Sequence, residues 1–329
     1  MTRALNLRPP DDRTVRRLTI GMSLILVIGI PLIGVLYFFD QYRAPAPSIS
    51  DQTIQAAEAA VRKNPNSLEV RYALGNAYDT AGRIPDAIAQ YDEILKVKPD
   101  AAVVLIARGN DFVAQGKLDS AKADFQAVVK NGQGAAMANV DSGIESAHYG
   151  LALIALKAGD PRTAASEATA ALQINRTDAD ALNVLGDALA ATGDLTTATV
   201  VYGRAVSLVP DGWCDPYKGL AKTFASLGNQ PGAGWSNGML ALCQGRYDEA
   251  QAMLRQQVGG AFDLDALNGL GLLAEKQGQN DQAASYYRQV LAKDPRNFAA
   301  NNGMTRVGAV EASAGPASPT PTASVPGSN

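Results

Sequence analysis

The chain has 329 residues, with 29 Lys and Arg against 32 Asp and Glu, a formal charge of −3. Arg3, Arg8, Arg13, Arg16 and Arg17 crowd the first seventeen positions, so the remainder is more acidic than the whole, which excludes nucleic acid as the main partner because phosphate binding needs a basic face. One histidine, His148, and two cysteines are too few ligands for a structural His/Cys zinc site. Few aromatic and many alanine residues suit closely packed helices, pointing to an all-α fold.

Residues 1–17 read as a basic arm on the cytoplasmic side. The uncharged run 18–39, LTIGMSLILVIGIPLIGVLYFF, would be about 33 Å long as a helix, enough to cross a bilayer core. Pro31 and the glycines are tolerated in lipid, and Tyr37, Phe38 and Phe39 suit the far interface. The arginines on the N-terminal side place the N-terminus in the cytoplasm and the rest of the chain outside it. A cleaved signal peptide is the alternative; Ala44-Pro45-Ala46 resembles a cleavage site, but Pro47 directly after it disfavours cutting. Residues 40–50 read as a Pro-rich linker. At the other end, 311–329 is an Ala/Ser/Pro/Thr tail that cannot bury apolar area and is expected to be disordered.

Between them, 51–310 carries a period of about 34 residues. Sliding the segment 68–101 onto 102–135 maps Gly75 to Gly109, Tyr78 to Phe112, Gly82 to Gly116, Ala87 to Ala121 and Tyr91 to Phe125. Further copies occupy 145–178, 179–212 and 264–297. Small residues at fixed positions let two helices approach, bulky ones fill the gap to the next unit, and Pro99, Pro210 and Pro295 end the second helix. A helix from about Gln52, capped by Ser50-Asp51, would close the array at its start, and 298–310 at its end. Residues 131–144 form a Gly-rich insertion. In 214–259 the helix count is odd: either one helix serves two units, or Val258–Phe262 reverses the chain.

The pattern of a Leu-Gly pair, an aromatic three residues on, a turn Gly, an Ala, a second aromatic and a terminal Pro resembles the tetratricopeptide repeat superfamily. The resemblance implies a right-handed α-solenoid of helix-turn-helix repeats, here preceded by one transmembrane helix. It implies protein or peptide partners held in a groove lined by first-helix residues, and no catalytic activity. By that analogy the groove positions include Tyr72, Asn76, Ile106, Asn110, Tyr149, Leu153, Asn183 and Asn268. An asparagine amide both donates and accepts, so a ladder of them could pair with an extended backbone whatever its sequence. Of the Lys/Asn/Arg clamp found in some members, only the Asn is present.

Cys214 and Cys243 flank two helical stretches, 215–228 and 231–244, whose turn falls midway between them. A hairpin there would bring both to its open end, which suits a disulfide in an oxidising compartment. No GxxxxGK[ST], HExxH, GxSxG or CxxC occurs, and His148 sits where the repeat packs a bulky residue. No cofactor and no metal are expected. The expected role is a membrane-anchored scaffold outside the cytoplasm, an assembly or chaperone-like factor of an envelope complex; the alternative is a homo-oligomerising structural subunit.

Overall fold

The computed structural model describes residues 11–41, 48–132 and 141–313. The first ten residues, most of the linker, positions 133–140 of the Gly-rich insertion and the tail from 314 lie outside the described residues, so the expectations placed there stay as stated. The chain divides into two units, Met1–Pro65 and Asn66–Asn329.

The first unit holds α1 (Asp12–Gln41) and α2 (Ile49–Lys63). The helix is longer than the uncharged run, because Arg13, Arg16 and Arg17 continue it with good helical propensity. Within it Val15–Val35 is long and apolar enough to cross a membrane, and none of that stretch is buried. By length and composition α1 is a membrane anchor or a signal sequence. The cap of α2 corrects the sequence expectation. Ser48 holds the N-terminus, its Oγ accepting from Asp51 N at 3.0 Å while Asp51 Oδ2 accepts from Ser48 N at 3.1 Å. Asp51 is the third residue of a capping box, which starts the helix at Ile49 and not at Gln52.

The second unit contains α3 (Leu68–Thr80), α4 (Ile84–Val97), α5 (Ala102–Ala114), α6 (Leu118–Gly132), α7 (Ser142–Lys157), α8 (Pro161–Ile174), α9 (Ala179–Thr192) and α10 (Leu195–Leu208). It continues through α11 (Asp215–Ser226), α12 (Gln230–Cys243), α13 (Tyr247–Gln257), α14 (Asp263–Lys276), α15 (Asn280–Lys293) and α16 (Phe298–Ser313). Each helix packs on the next in sequence, and α5, α7, α9 and α11 also touch in a row. That is an α-solenoid: successive hairpins with their first helices side by side.

Side-chain size dictates the stacking. A Cβ built on Gly186 would lie 2.6 Å from the Tyr202 ring, and one on Gly219 would lie 2.3 Å from its other side. Tyr202 is therefore held between its own hairpin and the next. Phe125 sits likewise between Gly109 and Gly150, and Tyr287 between Gly271 and Gly303. Each ring is almost fully buried. The third hairpin has no ring: Ala152 and Ala168 meet there, packed with Val184. Polar ties reinforce the stack. Arg108 on α5 reaches Asp92 on α4 at 2.5 Å and grips Asp124 on α6 with two bonds of 2.9 and 2.7 Å.

The odd helix count resolves at α12, which packs against both α11 and α13. Its sequence, QPGAGWSNGMLALC, explains how one helix serves two neighbours. Gly232 faces Phe224 of α11, where a Cβ would come within 2.7 Å, and Gly238 faces Leu254 of α13 within 2.9 Å. Leu254 takes the place of the ring, held between Gly238 and Gly269. From α12 onward the first-helix row resumes, α12 touching α14 and α14 touching α16. Cys214, just before α11, and Cys243, the last residue of α12, have Cα atoms 5.6 Å apart and form a disulfide across the open end of that hairpin. An aromatic cluster packs on the same hairpin: Trp235 stacks on Phe262 at 5.5 Å, and Phe224 meets Phe262 edge-on at 5.4 Å.

Candidate functional site: a groove on the first-helix face

A groove of about 590 Å³ opens between α7, α9 and α11. Tyr149 and Leu153 come from α7; Asp180, Asn183, Val184, Asp187 and Ala190 from α9; Asp215, Lys218, Lys222 and Thr223 from α11. Trp213, from the connector before α11, also lines it. These side chains converge because first helices lie parallel in a row, so residues three or four apart on each helix face one common side.

The floor is polar and partly dry. Asp187 Oδ1 accepts from the Tyr202 hydroxyl at 2.6 Å, which orients that carboxylate. Partial dehydration raises the Asp187 pKa; the Tyr202 hydrogen bond and Lys222 oppose the rise, and Asp215 adds to it. Tyr149 is pushed up to about 12 by burial and then by Asp180 and Asp178. At the N-terminal ends of α7 and α9, burial and the Asp178 carboxylate push Glu145 up to about 7. Asn183 Oδ1 is buried with no hydrogen-bond partner. A buried acceptor left open is rare in folded proteins and calls for an explanation.

Of the eight sequence-derived groove positions, the structure brings Tyr149, Leu153 and Asn183 together in this groove. Tyr72 and Asn76 lie on α3, where the Tyr72 ring is 5.9 Å from Tyr91 and Asn76 Oδ1 accepts from the Tyr91 hydroxyl at 2.7 Å. The oxygen of Asn76 is thus taken inside the hairpin. Ile106 is half-buried on α5 and Asn110 is exposed there. Asn268 donates to Asn297 Oδ1 at 3.1 Å, and Asn297 in turn caps α16, so that amide braces two helices; its own oxygen is buried without a partner. His148 pairs through Nδ1 with Glu167 at 2.7 Å, joining α7 to α8 away from the groove-lining residues. Among the described residues no group of three or more His, Cys, Asp or Glu could hold a metal ion.

Sequence reasoning missed Trp213, Asp215, Lys218 and Lys222. Trp213 belongs to no repeat position, and the odd helix count hid which face of α11 looks inward. The six-residue spacing between α10 and α11, longer than the other Pro- or Asn-rich connectors, was the available signal.

Tetratricopeptide repeat family models match residues 51–108, and then 106–144, 149–212 and 237–298. Among curated proteins, cellulose synthase operon protein C of Komagataeibacter xylinus is 42% identical over 64 residues, which are 19% of this chain and 5% of that protein. The chain therefore spans about a twentieth of that relative's length. Among solved structures, YrrB, a TPR protein with an unusual peptide-binding site, is 21% identical with a TM-score of 0.47 over 61% of this chain and 99% of that one. A tetratricopeptide repeat protein from Parabacteroides merdae is 14% identical with a TM-score of 0.47 over 84% and 97%. With its repeats matched along most of the second unit, this chain belongs to the tetratricopeptide repeat family.

Proposed function

We propose that the chain is a non-catalytic scaffold, anchored by α1 with its repeats outside the cytoplasm, that holds extended polypeptide segments in the groove between α7, α9 and α11. In this reading it acts as an assembly or chaperone-like factor of an envelope complex. The observation that carries the reading is the groove's make-up: apolar walls from Tyr149, Leu153 and Trp213 beside exposed groups of both signs, Asp180, Asp187 and Asp215 with Lys218 and Lys222. An extended chain presents N–H groups that those carboxylates accept and C=O groups that the lysines donate to, and apolar walls take the side chains between. The uncharged run 18–39 and the arginines before that run support the anchor and its direction. The likeness over 64 residues to cellulose synthase operon protein C supports a repeat scaffold.

Co-isolation from crosslinked native membranes tests this. Wild type and a Val200→Glu variant, changed on an exposed α10 site, should bring down the same proteins. Tyr149→Ala combined with Lys218→Glu should lose them while keeping full helicity. Recovery of the same proteins by all three would contradict the groove. Recovery of further copies of this chain alone would favour a homo-oligomeric structural subunit.

A further inference from the structure

The first helices of successive hairpins run α3, α5, α7, α9. Acidic side chains meet across this series at two places. Asp111, in the last turn of α5, is 3% exposed, and its Oδ2 has no hydrogen-bond donor among the described residues. What lies within hydrogen-bond reach of its side chain is another carboxyl, Asp79 in the last turn of α3. Tyr91 of α4 is close to both acids, but its hydroxyl is already given to Asn76 Oδ1 at 2.7 Å. From the other neighbours of α5, Asp124 on α6 is held by Arg108, and His148 on α7 by Glu167. No lysine or arginine among the described residues acts on Asp111. A carboxylate this deeply placed, without cation or donor, is too costly to keep ionised, and the negative ends of two helix dipoles add to the cost.

The second meeting is at the opposite helix ends. Glu145, in the first turn of α7, lies within hydrogen-bond reach of Asp178, the N-cap of α9. Asp178 Oδ1 accepts from Asp180 N at 2.9 Å and from Ala181 N at 3.2 Å, so this carboxylate is engaged as an acceptor and the shared proton sits on Glu145. Nothing nearby offers a positive charge in its place. Asp180 is a further acid, Glu167 on α8 is taken by His148, Arg108 on α5 is spent on Asp92 and Asp124, and no lysine or arginine among the described residues acts on Glu145.

We propose that these pairs are proton ties between neighbouring hairpins, Asp111 donating to Asp79 and Glu145 to Asp178, and that losing the two protons as the surroundings pass from mildly acidic to mildly alkaline drives the first helices apart. Each tie is one O–H···O⁻ bond. Removing its proton leaves two negative charges at contact distance with little water between them. The relief open to the chain is separation, because each pair joins side chains of two separately packed hairpins. Burial and the partner carboxylate push both Asp111 and Glu145 up to about 7, which places the release near neutral pH. The ties act whatever the groove binds. Because α7 and α9 form two of its walls, the second tie also sets their spacing.

The test uses the full chain in detergent with its disulfide intact. Nitroxide pairs on introduced cysteines report the spacing: Thr80 with Ala114 beside the first tie, and Ser142 with Thr177 beside the second, all four exposed. Dipolar broadening of both pairs should be about twofold stronger at about pH 5.5 than at about pH 8.5. Asp111→Asn should keep the first pair broadened at the higher pH, since an amide is neutral and still donates to Asp79, and should leave the response of the second pair in place. Glu145→Gln should do the converse. Infrared difference spectra of the unlabelled wild type between the same two pH values need no substitution. A carboxylic acid C=O band should disappear as pH rises, in a range where ordinary carboxyls are ionised throughout. Equal broadening at both pH values in the wild type, a response that survives in the Asp111→Asn, Glu145→Gln double variant, or absence of the infrared band would overturn the proton ties.

Discussion

The ring held between two glycines makes a quantitative prediction at Tyr202. In Gly219→Ala the new Cβ would stand 2.3, 2.5 and 2.8 Å from Tyr202 ring atoms, well inside contact distance. The ring cannot retreat. Its other side lies against Gly186, where a Cβ would be 2.6 Å away, and its hydroxyl is bound to Asp187 at 2.6 Å. Relief therefore requires α11 to move off α9 and α10 or the hydroxyl to leave its partner. Overpacking of this kind costs about 1–3 kcal/mol, and the partly buried hydrogen bond to Asp187 adds about 1 kcal/mol if it breaks. We expect Gly219→Ala to lose about 2–3 kcal/mol. Adding Tyr202→Leu should recover part of that loss, since Leu254 fills the equivalent position in the α12–α13 hairpin. A control is built into the same helix pair. A Cβ at Gly203 meets nothing within 4 Å, so Gly203→Ala should gain about 0.5–1 kcal/mol from helix propensity alone. The assay is urea unfolding of the full chain in detergent. Far-UV circular dichroism reports the whole solenoid and fluorescence reports the neighbourhood of Trp213 and Trp235, the chain's two tryptophans. A Gly219→Ala loss under 0.5 kcal/mol, or no recovery on adding Tyr202→Leu, would refute the reasoning.

Further outcomes follow from the polar contacts and the disulfide. Arg108→Ala leaves Asp124, 5% exposed, as a buried charge without its bidentate partner, and should cost about 3 kcal/mol by urea unfolding, whereas breaking the exposed pair Lys96–Glu93 should leave stability nearly unchanged. Burial and the Asp79 carboxylate push Asp111 up to about 7. The folded chain then keeps a proton that the unfolded chain releases near pH 4, so stability should fall as pH rises from about 4 to about 7. Asp111→Asn should flatten that slope and gain about 1 kcal/mol at neutral pH, a value discounted because Asp79 is exposed; an unchanged slope would count against it. Replacing both cysteines by serine should cost about 3–4 kcal/mol on loop-closure grounds, and hydrogen exchange should speed up in 209–243 more than in α3–α6. Protease added to intact cells freed of their outer barrier should degrade the repeats and spare the N-terminal arm if α1 points as proposed.

How far the residues announced this structure varies along the chain. The period was legible because each hairpin repeats one packing constraint, Gly75 under Tyr91, Gly109 under Phe125, Gly186 under Tyr202 and Gly271 under Tyr287. The second glycines, Gly150, Gly219, Gly269 and Gly303, were not, because each belongs to the following helix and the spacing changes with the connector. Helix α12 was ambiguous for a physical reason. Gly232 and Gly238 give it two close-packing sites, so it reads correctly as the second helix of one hairpin and the first of the next. In the groove, Tyr149, Leu153 and Asn183 are positions that the family resemblance implies. Asn76 shows the limit of that rule: position predicts the face, and whether the amide is free depends on Tyr91, fifteen residues away.

Site-specific photocrosslinking tests the central claim most directly. A benzoylphenylalanine placed at Lys218, exposed on the groove wall, is compared in native membranes with one at Val200, exposed on α10 outside the groove. The account predicts discrete adducts from position 218, mapped by mass spectrometry to extended segments with a large apolar residue, and none of these from position 200. The same adducts from both positions, or none from position 218 where the chain is folded and abundant, would contradict it.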